Sequence, residues 1–313
     1  MKDSDIQRVQ NEEAEYHYHL AKCYNYGLEG YEFDEKKAML ESLEAAKLGN
    51  AKAMTDMAAD LSDAEDSILG YDLAEAEMWA KKAIALGEPD GYKGLYDVCL
   101  EQGNGEMAFN YLNTGIAEGS PDCIQWLAFL RYMGPKVVDY PVEQNTDEAY
   151  RLLTSVEWDV FHQVALDTLG VIYWERGEIF KAKECFERAL VLKNDNFVTI
   201  FHLGELLRSE REVLDYPRAV SLLTVASEKG FVKATHDLGT MYYNGEGCER
   251  NEVVAYDMLM KAAQEGYTYS MVCLYYMLKD EYPEDALYWL NHAAAEDDEE
   301  AQEILRQLAE EED

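Results

Sequence analysis

The chain of 313 residues carries 63 Asp and Glu against 27 Lys and Arg, a formal charge of −36, with 48% hydrophobic and 12% aromatic residues. That apolar and aromatic content excludes a disordered acidic chain, which lacks the burial needed to offset ordering entropy. The acidity argues against nucleic-acid backbones and anionic membrane surfaces, which are held by clustered Lys and Arg, and favours a partner with a basic surface. Met1 to Asp5 is polar, and no run approaches the ~18 apolar residues of a spanning helix, so a cytoplasmic chain with no membrane segment is expected. The six cysteines form no C-x-x-C pair. They are expected to be reduced, mostly small core residues, while their even number would also suit three disulfides in a secreted protein.

Two helix-period patterns alternate along the chain. The first reads Leu then a small residue, with a Gly or polar turn about seven residues later; the second reads Ala-x6-small-x3-Gly. Unit one pairs Leu20-Ala21…Gly27 with Ala38…Ala45…Gly49, and unit two pairs Met57-Ala58 with Ala76…Ala83…Gly87. Between the latter, Leu61 to Tyr71 is an insertion expected as an exposed acidic loop. Unit three pairs Leu95-Tyr96 with Ala108…Gly115…Gly119. Unit four pairs Leu127-Ala128 with Ala149, carries the insertion Gly134 to Asn145 with Pro135 and Pro141, and has Val156 and Val160 where the small residue and Gly belong, which marks it as a place for the repeat to bend. Unit five pairs Leu169-Gly170…Gly177 with Ala182, unit six Leu203-Gly204 with Ala219, unit seven Leu238-Gly239…Gly245 with Ala255…Ala262…Gly266, and unit eight Met271-Val272 with Ala286. Ala301 to Leu305 repeats the first phase and runs into an acidic end.

The spacing predicts a helix A, a turn and a helix B in each unit. Residues seven apart lie two turns apart on one face, so small residues there allow close helix approach, and a Gly four further on closes helix B through a left-handed cap. The expected fold is all-α: a right-handed α-solenoid of about eight helix-turn-helix repeats with terminal capping helices. Residues 1–12 read as an extension, 13–298 as the solenoid and 299–313 as an acidic capping helix and tail.

Leu238-Gly239-Thr240-Met241-Tyr242-Tyr243-Asn244-Gly245-Glu246-Gly247, with Ala255-Tyr256 and Lys261 to Gly266, closely resembles a Sel-1-like repeat, a relative of the tetratricopeptide repeat. Leu169 to Leu192, with Ala182, Phe186 and Ala189, resembles a tetratricopeptide repeat proper. The resemblance implies that helix A lines a concave surface. It places there Tyr18, Tyr26, Phe129, Tyr132, Trp174, Phe201, His236, Tyr243, Tyr269 and Tyr276, interleaved with Asp97, Glu101, Asp167, Glu175 and Glu205. Trp174 and Tyr243 are the best aligned of these. Such a lining suits a basic or aromatic-anchored protein segment, since rings stack on guanidinium groups and carboxylates pair with charge. Several of these rings would equally serve as packing between helices. The few cations beside them, Lys22, Lys93 and Arg208, do not reproduce the set with which some tetratricopeptide domains clamp an acidic chaperone tail.

Chemical signals are weak. Gly103-Asn104-Gly105-Glu106-Met107-Ala108 matches a dinucleotide fingerprint on paper but follows a helix, so a turn is expected. His17 and His19 with Glu13 and Glu15 have metal-ligand spacing, but a partly exposed first helix accounts for them, since no H-E-x-x-H appears. No catalytic residue, metal or cofactor is expected. A non-catalytic interaction scaffold leads, an acidic inhibitor or immunity protein neutralising a basic toxin or nuclease is the alternative, and a hidden enzyme comes third.

Overall fold

The Ala-x6-small-x3-Gly pattern is one structural device. In the computed structural model, which describes residues 3–134, 142–157, 162–192 and 196–312, the Ala at its start is buried in all eight units. Seven residues on, the carbonyls of Ala45, Ala83, Gly115, Ala226, Ala262 and Ala293 each accept a hydrogen bond from the amide five residues later, at 2.8–3.1 Å. That is the long bond of a Schellman cap. The residue between is left-handed: Gly49, Gly87, Gly119, Gly230 and Gly266 have φ from 84° to 105°. In unit eight Asp297 takes this place with φ 62°, a conformation that Asp tolerates better than most side chains.

Seventeen helices and no strand occur among the described residues. The A helices are α1 (Asp3–Tyr26), α3 (Ala51–Ser62), α5 (Gly91–Glu101), α7 (Pro121–Met133), α9 (Gln163–Glu175), α11 (Phe197–Ser209), α13 (Val232–Asn244) and α15 (Thr268–Leu278). The B helices are α2 (Glu35–Leu48), α4 (Leu73–Ala85), α6 (Gly105–Ala117), α8 (Thr146–Leu153), α10 (Ile179–Leu192), α12 (Tyr216–Glu228), α14 (Glu252–Gln264) and α16 (Pro283–Ala295), and α17 (Glu299–Glu312) ends the series. The chain is an all-α repeat solenoid. It divides into two compact units, residues 1–172 and 173–313. The first helix begins at Asp3, within the stretch expected as an extension. Pro135, Pro141 and Val160 lie outside the described residues.

In residues 1–172 the core runs through Ala45, Ala53, Met57, Ala58, Ala80 and Leu95, then through Tyr96, Leu112, Cys123 and Leu130. Consecutive A helices α3, α5 and α7 touch one another directly as well as through the B helices. In residues 173–313 the last core layer is closed by α17, where Ala301, Ile304, Leu305 and Leu308 cover the face of α15 and α16. All six cysteines are free thiols, four of them buried. The acidic insertion after α3 is organised rather than loose: Asp60, 9% exposed, accepts from Ser67 Oγ and from the amides of Ile68 and Leu69 at 2.9–3.0 Å. The Gly103–Ala108 stretch is the α5–α6 turn, with Asn104 accepting from the Met107 amide at 3.2 Å.

Close helix approach shows at the glycines within helices. A Cβ at Gly94 would stand 2.9 Å from Ala58 Cβ, and one at Gly115 would overlap Cys123 Sγ. Gly94→Ala and Gly115→Ala should therefore lower stability by about 1–3 kcal/mol through overpacking, despite the ~1 kcal/mol that Ala gains over Gly as a helix former. Thermal melts of the two variants check this, and unchanged or raised melting temperatures would contradict the close contact.

Candidate partner-binding pocket

The A helices α3, α5 and α7, with the start of α9, enclose a pocket of about 310 Å³ in residues 1–172. Counted from the central apolar residue of each A helix (Met57, Leu95, Leu127), its lining occupies positions five, two and one before and two after, a stripe of i, i+3, i+4 and i+7 that faces one way on a helix. Asp56, Lys93, Asp97, Asp122, Trp126 and Phe129 fall on it.

Lys93 shows how this surface holds a cation. Its ammonium sits 4.4 Å from the centre of the Trp126 ring and donates to both oxygens of Asp97 at 2.7 and 2.8 Å. Phe129 lies beside Trp126, with ring centres 5.2 Å apart. Asp90 stands at the α5 N-cap but makes no cap bond; its carboxylate crosses to α7, accepting from Ser120 Oγ at 2.6 Å and the Asp122 amide at 3.2 Å. Asp122 is paired with His162 at 2.6 Å, and this hydrogen bond raises the imidazole pKa.

Asp56, like Asp90, has no cation among the described ion pairs. It accepts from Ser42 Oγ at 3.1 Å. Burial pushes its pKa from 3.8 up to about 6. Tyr18 and Tyr26 of α1 stand in the field of Asp56, and burial raises both phenols. Tyr18 is half-buried under Lys22, whose Nζ lies 4.6 Å from the ring centre, and Tyr26 is exposed.

Residues 173–313 carry a separate polar cluster on the same helical stripe. Arg208 pairs with Asp237 at 2.9 Å and Glu205 at 3.4 Å. Desolvation, then the Glu205 carboxylate, raise the Asp237 pKa. His236 Nδ1 contacts Ser270 Oγ at 2.8 Å and its ring meets Tyr267, and burial, then Arg208, lower its pKa to about 4. Tyr243, Tyr269 and Tyr276 are exposed, Tyr243 beside the Arg250 guanidinium and Tyr276 within 3.5 Å of Glu300.

Of the residues expected on the concave face, the pocket brings together Asp97 and Phe129. Tyr132 and Asp167 are half-buried, Glu175 is exposed, and Glu101 is exposed with the Tyr71 hydroxyl at 3.5 Å. Trp174 is half-buried and donates Nε1–H to Glu210 at 2.6 Å. Phe201 is buried at 5% against Phe231, ring centres 4.5 Å apart, and so offers a partner no surface. Asp56, Asp122, Trp126 and His162 were not singled out by sequence; Asp56 and Trp126 stand one residue before, and Asp122 five before, the central apolar residue of their helices, on the same face as Asp97 and Phe129. The metal-spaced set on α1 does not assemble, because Glu15 accepts from Asn50 at 2.9 Å and His17 turns to Glu41 at 2.6 Å. No helix among the described residues is long and apolar enough to cross a membrane.

Ionised Asp56 is disfavoured by the fold, so the folded chain holds its proton more tightly than the unfolded chain. Stability should fall as pH rises from about 4 to about 6 and stay reduced above. Asp56→Asn keeps the shape and removes the charge. It should raise stability at about pH 7.5 by roughly 1–3 kcal/mol and leave it unchanged near pH 4, as read from denaturant melts at the two pH values. Equal gains at both would show that Asp56 carries no such penalty.

No protein-family model and no curated protein matches the sequence. Solved structures do. One is c5321, a protective antigen of uropathogenic Escherichia coli displaying an SLR fold: TM-score 0.59, 19% identity, 96% of this chain and 66% of the antigen, so the chain spans slightly less than two thirds of it. A Sel1 repeat protein from Oxalobacter formigenes gives TM-score 0.50 and 19% identity over 97% of this chain and 90% of that one. The Cut9–Hcn1 hetero-tetramer of APC/C gives TM-score 0.50 and 14% identity over 98% of this chain and 56% of the other. With the Schellman-closed helix pairs, these show that the chain shares the helix-pair solenoid fold of Sel1 repeat proteins.

Proposed function

We propose that the protein is a non-catalytic interaction scaffold whose pocket on α3, α5 and α7 receives a Lys or Arg side chain from a basic or aromatic-anchored protein segment. The observation that carries this reading is Asp56: a half-buried carboxylate that makes no ion pair among the described residues, in a pocket where Lys93 is held by a ring and a carboxylate. An incoming cation would relieve the cost of ionising Asp56 and use the same chemistry that holds Lys93. The surrounding field of a −36 chain would speed encounter with a basic partner. Sel1-type and tetratricopeptide-type neighbours, one of them solved in a complex with Hcn1, make a protein partner the natural occupant.

The test is selection of peptides from a random display library against the whole chain, followed by affinity measurements. Selected peptides should carry Lys or Arg near an aromatic residue, and Asp56→Asn or Asp122→Asn should weaken them by about 2 kcal/mol or more, as expected on removing one partner of a desolvated charge pair. Affinity should also fall as pH drops below about 6, where Asp56 takes up its proton. Peptides that bind both variants and the wild type alike would move the contact out of the pocket. If those peptides were strongly basic and released by salt, the acidic inhibitor reading, which needs only the charge of the surface, would take its place.

A further inference from the structure

Where α1 ends, the chain doubles back on itself. Gly27, with φ 62°, closes the helix, and the Leu28 amide donates to the Cys23 carbonyl at 3.0 Å. Two residues later Glu29 is left-handed, with φ 53°, one of two non-glycine residues in that region among the described residues. Its carboxylate reaches back over the last turns of α1, where Oε1 lies 3.3 Å from His19 Nε2. The same nitrogen lies 3.6 Å from the sulfur of Cys23, one helical turn on. The three ligand-type atoms are all within 4.8 Å of one another, and no other such group occurs among the described residues.

We infer that His19, Cys23 and Glu29 form a zinc site, with the imidazole Nε2, the Cys23 thiolate and one Glu29 oxygen as three protein ligands. The distances are those of a tetrahedron. With zinc bond lengths of about 2.3 Å to sulfur and about 2.0–2.2 Å to nitrogen and oxygen, the N···S edge is about 3.5 Å and the N···O edge about 3.4 Å. Two edges, 3.6 and 3.3 Å, already match. The third, S···O, lies within 4.8 Å, and the exposed Glu29 side chain is free to rotate toward the sulfur.

The donor set points to zinc. One imidazole, one thiolate and one carboxylate suit a borderline ion, whereas magnesium and calcium take oxygen ligands. Three ligands leave one position for water. The thiol is 1% exposed, while the His19 and Glu29 side chains are 59% and 64% exposed, so the ion has an entry side and the sulfur a dry one. Binding replaces the S–H bond with an S–Zn bond and releases that proton to the solvent, with no redox change. Bound zinc would pin the α1–α2 turn to α1 and lock the first repeat.

The experiment uses the full chain, reduced and stripped of metal, titrated with zinc in competition with a chromophoric chelator and separately with cobalt. A single tight zinc per chain is expected, with a thiolate-to-cobalt charge-transfer band. His19→Gln and Glu29→Gln, both at exposed positions, should leave helicity unchanged and lower zinc affinity by at least the ~10–100-fold that even an outer-shell change costs. Cys23→Ser should remove the charge-transfer band. Absence of tight zinc in the wild type would overturn the site, and so would zinc binding that is the same in His19→Gln and Glu29→Gln. Such a result would leave the three groups as a hydrogen-bonded cluster and assign any bound zinc to the acidic surface.

Discussion

Everything in this molecule depends on helices approaching closely where a glycine sits at their contact. Gly94 of α5 lies between Ala58 of α3 and Ala80 of α4, and Gly115 of α6 lies against Cys123 and Tyr92. In residues 173–313 the same contact is made with Leu in place of Ala: Gly204 meets Leu223, and Gly239 meets Leu259. Each contact fixes the distance between successive helices at a value that a single methyl group would disturb. The Schellman closure after six of the B helices then fixes where the next helix begins.

The polar surface follows from that spacing. With α3, α5 and α7 in mutual contact, side chains on their shared outward stripe come within a few ångströms of each other although they are some thirty residues apart in sequence. Carboxylates brought together this way repel and lose water, so the fold is tolerable only where each finds a partner or takes up a proton. Asp97 has Lys93, Asp122 has His162, Asp90 has Ser120 and the Asp122 amide, and Asp56 has the Ser42 hydroxyl, with burial still holding its pKa up at about 6. In the second unit the stripe meets the same problem with a cation of its own, Arg208, placed between Glu205 and Asp237.

Two aspartates, Asp90 at a helix N-cap and Asp60 within a helix, show how side chains are diverted from their own helix. Asp34, Asp72 and Asp215 accept from their own helix amides as N-cap residues do. Asp90 occupies the same kind of position but spends its carboxylate on the next repeat. Asp60, inside α3, gathers the following acidic loop around itself through two amides and a hydroxyl, which makes a stretch of high charge into a defined turn.

The sequence by itself determined the helices, their pairing and their ends, because those depend on local periodicity, small residues at fixed spacing and left-handed glycines, all of which are written along one strand of text. Asp97 and Phe129 were legible as surface candidates for the same reason: they lie at a fixed offset from a central apolar residue. Only the tertiary structure decided which stripe residues meet. Asp56, Trp126 and His162 join Asp97 through contacts between different helices, while Phe201, at an equivalent offset, is covered by Phe231 from the next repeat. The His19, Cys23 and Glu29 cluster was invisible for a related reason. Two of its members are one helical turn apart, but the third arrives through the left-handed turn of Glu29, and the backbone angle of a non-glycine residue is set by the packing around it rather than by its name.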